Sequence, residues 1–118
     1  MTRFQSKAAF LFMATFKQAE ELAKTWIRIA TDDSCEISRI DDKPYGWVFH
    51  YQRKDYDPDD FYTHTIGNAP LIVDRMNLEV VCTGTAKPLE FYITQYENSL
   101  PKARLQMTPE RHDGVKKY

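Results

Sequence analysis

From residue 15 the apolar positions recur with a helical period. Phe16, Ala19, Leu22, Ala23, Trp26, Ile27 and Ala30 follow the i, i+3, i+4, i+7 rule. Lys17, Gln18, Glu20, Glu21, Lys24 and Arg28 fall on the opposite face. Thr15 followed three positions later by Gln18 has the form of a capping box, in which each side chain serves the other's backbone N–H. Glu20 and Lys24 form an i, i+4 ion pair worth about 0.3 kcal/mol. Asp32, Asp33 and Ser34 end the helix.

The period then changes to two. Residues 35–40 read as a strand, with Asp41, Asp42, Lys43 and Pro44 supplying the turn that stops it. In residues 46–52, Trp47, Phe49 and Tyr51 share one face, and Val48, His50 and Gln52 share the other. Residues 70–74 and 79–83 are two further β-rich runs whose short separation suits an antiparallel hairpin. Before them lies an acidic loop holding Asp55, Asp57, Asp59 and Asp60, then residues 61–66 and a turn at Gly67, Asn68, Ala69 and Pro70.

A second helix follows. Pro88 suits its first position, where a missing N–H costs nothing. Leu89, Tyr92, Ile93 and Tyr96 make the apolar stripe, and Pro101 closes it. The succession helix, strands, helix predicts an α+β domain: an antiparallel sheet of about four strands, with the N-terminal and C-terminal helices packed on one face. Residues 15–100 form this domain, residues 1–14 extend it at the N-terminus, and residues 101–118 read as a basic, flexible tail.

Composition narrows the function classes. The chain has 118 residues, 42% apolar, 14% aromatic and 28% charged, which fits one globular domain. A net charge of −1 creates no field that would draw it to nucleic acid or anionic lipid. Basic patches with interleaved aromatics, as single-stranded nucleic acid requires, are missing. The apolar run at residues 8–13 is far short of the ~20 residues of a membrane span. Arg3 and Lys7 precede that run, but no small-x-small cleavage site follows, so the expected location is the cytoplasm. Cys35 and Cys82, with no CxxC motif, read as reduced thiols.

No catalytic motif stands out. GxSxG, HExxH, GxxxxGK[ST] and GxGxxG are all missing. His50, His64 and His112 are isolated; a nucleophile pair of Cys82 with one of them has no local support, and a strand cysteine packed as a small hydrophobe is the simpler account. The acidic loop lacks the Gly and closing Glu of a calcium loop. No metal or cofactor is expected. Clustered carboxylates on a loop are ordinarily solvated surface, yet they can also meet a basic cleft on a partner and speed association. With Tyr56, Phe61 and Tyr62 interleaved, residues Asp55, Asp57, Asp59 and Asp60 form the candidate partner-binding surface. Trp47 and Tyr51 read as core, with an exposed aromatic anchor as the other possibility.

Three stretches together carry a resemblance: Gly46-Trp47-Val48-Phe49; then Gly67-Asn68-Ala69-Pro70-Leu71-Ile72-Val73-Asp74; then Gly84-Thr85-Ala86-Lys87-Pro88-Leu89-Glu90 with Tyr92, Tyr96 and Glu97. In this order and spacing, over about residues 15–98, the chain resembles the immunity protein 35 family, with its YrhB-type members. The resemblance implies an α+β protein encoded beside a toxin of a bacterial polymorphic toxin system. Its partner would be a cognate toxin domain, bound and neutralised without catalysis. Chaperone-like behaviour linked to a YrhB-type relative is the alternative, with residues 8–13 as the client patch.

The shared residues make sense as scaffold. Gly67 and Asn68 tolerate positive φ before Pro70 opens a strand. Gly84 ends the hairpin strand, Pro88 starts the last helix, and Asp74 accepts hydrogen bonds from the turn after it. Where the family's hairpin usually carries Gly, this chain has Leu78, so Asn77 is expected to supply the left-handed residue.

Overall fold

In the computed structural model residues 13–64 and 69–112 are described. Helix α1 spans Phe16–Ala30, and both halves of its capping box form: Gln18 N–H donates to Thr15 Oγ1 at 3.2 Å, and Thr15 N–H to Gln18 Oε1 at 2.9 Å. Asp32 (φ 52°) and Asp33 (φ 62°) then turn the chain through the left-handed region, which Asp tolerates better than most residues. Glu20, assigned by periodicity to the polar face, is in fact buried, and Lys24 reaches it at 3.8 Å.

Four strands follow, β1 (Cys35–Lys43), β2 (Gly46–Arg53), β3 (Leu71–Asp74) and β4 (Val80–Cys82), paired in sequence order and antiparallel throughout. Strand β1 runs three residues further than its turn-like sequence suggests. Asp41, Asp42 and Lys43 pair with Val48, Trp47 and Gly46, so the turn is Pro44–Tyr45 alone. Gly46 is required by close approach, since a Cβ there would lie 2.0 Å from the carbonyl oxygen of Val73.

Alternation along the pleat sends Trp47, Phe49, Leu71 and Val73 to one side, where they meet Phe16, Ala19, Ala23 and Ile27 of α1. Val48, Ile72 and Val81 point to the other side, where Tyr45 and Tyr96 complete a second core. Helix α2 (Leu89–Asn98) supplies Tyr96 and Ile93 to that second core. The α+β architecture is as the sequence predicts, but its helices take opposite faces of the sheet and not one. Pro88 is the residue before α2 and not its first residue.

The segment after Pro101 departs from the flexible tail expected of it. A short helix, α3 (Lys102–Leu105), is followed by a strap that crosses to the α1 side. Arg75 donates to Thr108 O at 2.6 Å and Trp47 Nε1 to Glu110 O at 2.8 Å. The Glu110 carboxylate accepts from Phe16 N–H at 3.1 Å, and His112 Nδ1 sits 2.9 Å from Asp42.

The β3–β4 turn is organised by Asp74, which accepts from Met76 N–H at 2.8 Å as expected. Asp74 does more than this: fully buried, it also accepts from the Tyr96 hydroxyl at 2.8 Å and pairs with Arg104 of α3. The left-handed residue is Leu78 itself (φ 54°), while the Asn77 side chain accepts from Glu79 N–H at 2.9 Å. This corrects the expectation that Asn77 takes that conformation.

Candidate functional site

The loop after β2 carries all seven residues singled out for partner binding. Arg53, the last residue of β2, forks onto Asp55 with both carboxylate oxygens engaged, at 2.8 and 2.7 Å, and donates to Tyr62 O at 3.0 Å. One guanidinium thus ties the base of the loop to its tip, and its contact with Asp55 holds that carboxyl below the usual value. The other aspartates shape the backbone. Asp57 accepts from Asp59 N–H at 2.9 Å, and Asp60 accepts from Tyr62 N–H at 3.0 Å, opening the 3-10 turn Phe61–Thr63. Thr63 closes the loop, its hydroxyl placed 2.9 and 2.8 Å from the carbonyl oxygens of Asp57 and Asp60.

This bracing divides the acidic cluster in two. Asp55 is neutralised by Arg53, whereas Asp57, Asp59 and Asp60 form no ion pair with any described residue. Above them the aromatic rings stay in water. Phe61 is 68% exposed, Tyr62 87% and Tyr56 41%, the last stacked on His64 at 5.1 Å. Large apolar groups held out by an ordered loop are the unusual observation here, since an isolated exposed ring needs no explanation but a grouped set does.

Beside the loop, an open cavity of about 400 Å³ lies over the β1–β2 ribbon, lined by Ser38, Arg39, His50, Gln52, Tyr56 and His64 among others. At its edge His50 Nε2 and Arg39 both engage Asp41, at 2.8 and 3.2 Å. Burial alone would raise the Asp41 carboxyl, but these two hydrogen bonds outweigh it and hold the carboxyl below its ordinary value. Sequence spacing gave one usable sign of this cluster: residues 39 and 41 share a strand face. The opposing His50 depends on the bulge between Ile37 and Arg39, which no local pattern announces.

The scaffold residues are accounted for locally. Trp47 is fully buried, Pro70 O accepts from Thr83 N–H at 3.2 Å, and a Cβ on Gly84 would collide with the Tyr92 ring at 2.4–2.9 Å. Gly67 and Asn68 lie outside the described residues. Burial pushes the Cys82 thiol up, the opposite of what a nucleophilic thiolate needs. Among the described residues no cluster of metal-ligating side chains occurs, and no helix is long and apolar enough to cross a membrane.

No protein-family model and no solved structure matches the chain. Among curated proteins, it is similar to the uncharacterized protein YrhB of Escherichia coli (strain K12), with 40% identity over 53 residues. That stretch covers 44% of this chain and 56% of YrhB, so the likeness spans just over half of the relative's length.

Proposed function

We propose that the chain is a non-enzymatic immunity protein of the immunity protein 35 type, acting in the cytoplasm by binding and neutralising a cognate toxin domain. The observation that carries this reading is the loop after β2, which holds Phe61 and Tyr62 in water above the carboxylates of Asp57, Asp59 and Asp60. Tyr is enriched among the few residues that dominate binding energy, and charges around such an anchor steer association. The complementary surface is a basic cleft with an apolar slot, and tight inhibition would bury about 1,600 Å² in total. The GNAP and GTAKPLE stretches support the family reading.

The test is to purify the tagged protein from its source bacterium and identify what accompanies it in stoichiometric amount. A toxin domain whose toxicity is suppressed on co-expression supports the proposal. Asp57→Lys with Asp59→Lys should then slow association, less so at high salt. Many substoichiometric, heat-enriched partners would instead favour the chaperone-like alternative, and unchanged binding of the double variant across a salt series would remove the loop from the account.

A further inference from the structure

Where α1 gives way to β1 the chain folds back tightly. Asp33 N–H donates to Arg28 O at 2.7 Å, Cys35 N–H to Thr31 Oγ1 at 3.2 Å, and Lys54 N–H to Ser34 O at 3.0 Å. These bonds draw the last turn of α1, the start of β1 and the residue after β2 around one corner. Between them lies a cavity of about 350 Å³. Ile27, Cys35 and Ile37, all members of the α1-side core, form its floor. Lys24 and Arg28, an i, i+4 pair on α1, stand around it with Lys54. Long cationic side chains cover an apolar floor with their methylene stems and keep their charges at the mouth.

Those charges are unequally committed. Lys54 pairs with Asp33 at 2.8 Å and is the main cause of the Asp33 carboxyl lying below its ordinary value, with Arg28 adding a weaker pull. Lys24 reaches the buried Glu20 at 3.8 Å. The Arg28 guanidinium makes no hydrogen bond or ion pair with any described residue. With Glu36 as the second carboxylate, three cations face two anions, which leaves one net positive charge. An open guanidinium fork matches the two oxygens of a carboxylate, and a single net charge suits a monoanion. The floor beneath suits an apolar body. A cavity of roughly 150 Å³ holds benzene, so this one has room for a ring or short alkyl chain together with its carboxylate.

We infer that the cavity at the α1–β1 corner is a binding site for a small monocarboxylate with an apolar body. The carboxylate sits on Arg28 and the hydrocarbon on Ile27, Cys35 and Ile37. The site shares no residue with the loop at 57–62, so it stands whether or not that loop binds a toxin.

A nuclear magnetic resonance titration of the isotope-labelled protein with hexanoate tests it. The Ile27, Cys35 and Ile37 amides should shift saturably, with a Kd of about 1 mM. Acetate keeps the charge without the chain, and hexanol keeps the chain without the charge. Each should bind at least about tenfold more weakly than hexanoate. Arg28→Gln should weaken hexanoate about tenfold and leave hexanol unchanged. Arg28 is exposed and Gln is a comparable helix former, so the variant keeps the fold. The inference is overturned by the absence of saturable shifts with hexanoate, by equal binding of acetate or hexanol, or by an Arg28→Gln variant that binds hexanoate as before.

Discussion

Tyr96→Phe removes one oxygen from the second core and leaves its ring in place. That hydroxyl donates to Asp74 Oδ2 at 2.8 Å and lies 3.3 Å from Glu79 Oε1, with all three residues at most 1% exposed. A hydrogen bond to a charged group contributes about 1.5–3 kcal/mol, and the loss is largest when the acceptor stays buried. Asp74 keeps the Met76 N–H and Arg104, so its desolvation is only partly uncovered. The expected cost is therefore about 2 kcal/mol, equivalent to a fall in Tm of about 8 °C at roughly 4 °C per kcal/mol for a chain of this size. Urea unfolding followed by Trp fluorescence, with circular dichroism to test two-state behaviour, measures it. Tyr45→Phe is the control. Its hydroxyl also meets a carboxylate, that of Glu97 at 2.8 Å, but Glu97 is only half-buried and can turn to water; about 1 kcal/mol is expected. A cost below about 0.5 kcal/mol for Tyr96→Phe, or a greater cost for Tyr45→Phe, would refute the view that Asp74 and Tyr96 anchor α2.

Leu78→Val should destabilise more than Leu78→Gly although it removes less apolar surface, because a β-branched residue at φ 54° is strained while Gly gains back about 1–2 kcal/mol of backbone energy; denaturant midpoints compare them. Gly46→Ala forces β2 away from Val73 O and should cost about 2–3 kcal/mol, read from the same unfolding curves. For Asp41 the folded carboxyl titrates below its ordinary value of 3.8, so its contribution is present above about pH 4 and is lost as pH falls through the folded value. The stability gap between wild type and Asp41→Asn should accordingly be below about 1 kcal/mol at pH 7, because the pair is half in water, and should narrow in thermal melts as the pH is taken down through the folded value.

What could be read from the residues was whatever neighbours decide. The Thr15–Gln18 capping box and the α1 stripe need only four or five positions, and the alternation of Trp47, Val48 and Phe49 needs three. Placement of the helices depends on both faces of the sheet at once. Its sign was the unbroken run Leu71-Ile72-Val73, all buried, which an open-faced sheet would not carry. The turn chemistry of residues 41–44 was overridden by pairing with β2, a tertiary effect. The strap leaves no local sign in the sequence, because Trp47 and Glu110 lie 63 positions apart. In the loop, the positions of the aromatic and acidic residues were legible. The neutralisation of Asp55 was not, since it depends on which way Arg53 turns at the strand's end.

The Glu110 carboxylate that receives the Phe16 amide belongs to a residue 94 positions downstream. During synthesis the meander β1–β4 can pair hairpin by hairpin as it emerges, since each strand meets its sequence neighbour. The contacts that strap α1 and Trp47 to the sheet end must wait until residue 110 has left the ribosome. At about 5–20 residues per second, the stretch from Cys82 to Glu110 takes roughly one to six seconds to follow the sheet out. Closure of the strap therefore comes after the sheet, and removing Glu110 leaves α1 without the partner of its first amide however well the sheet has formed.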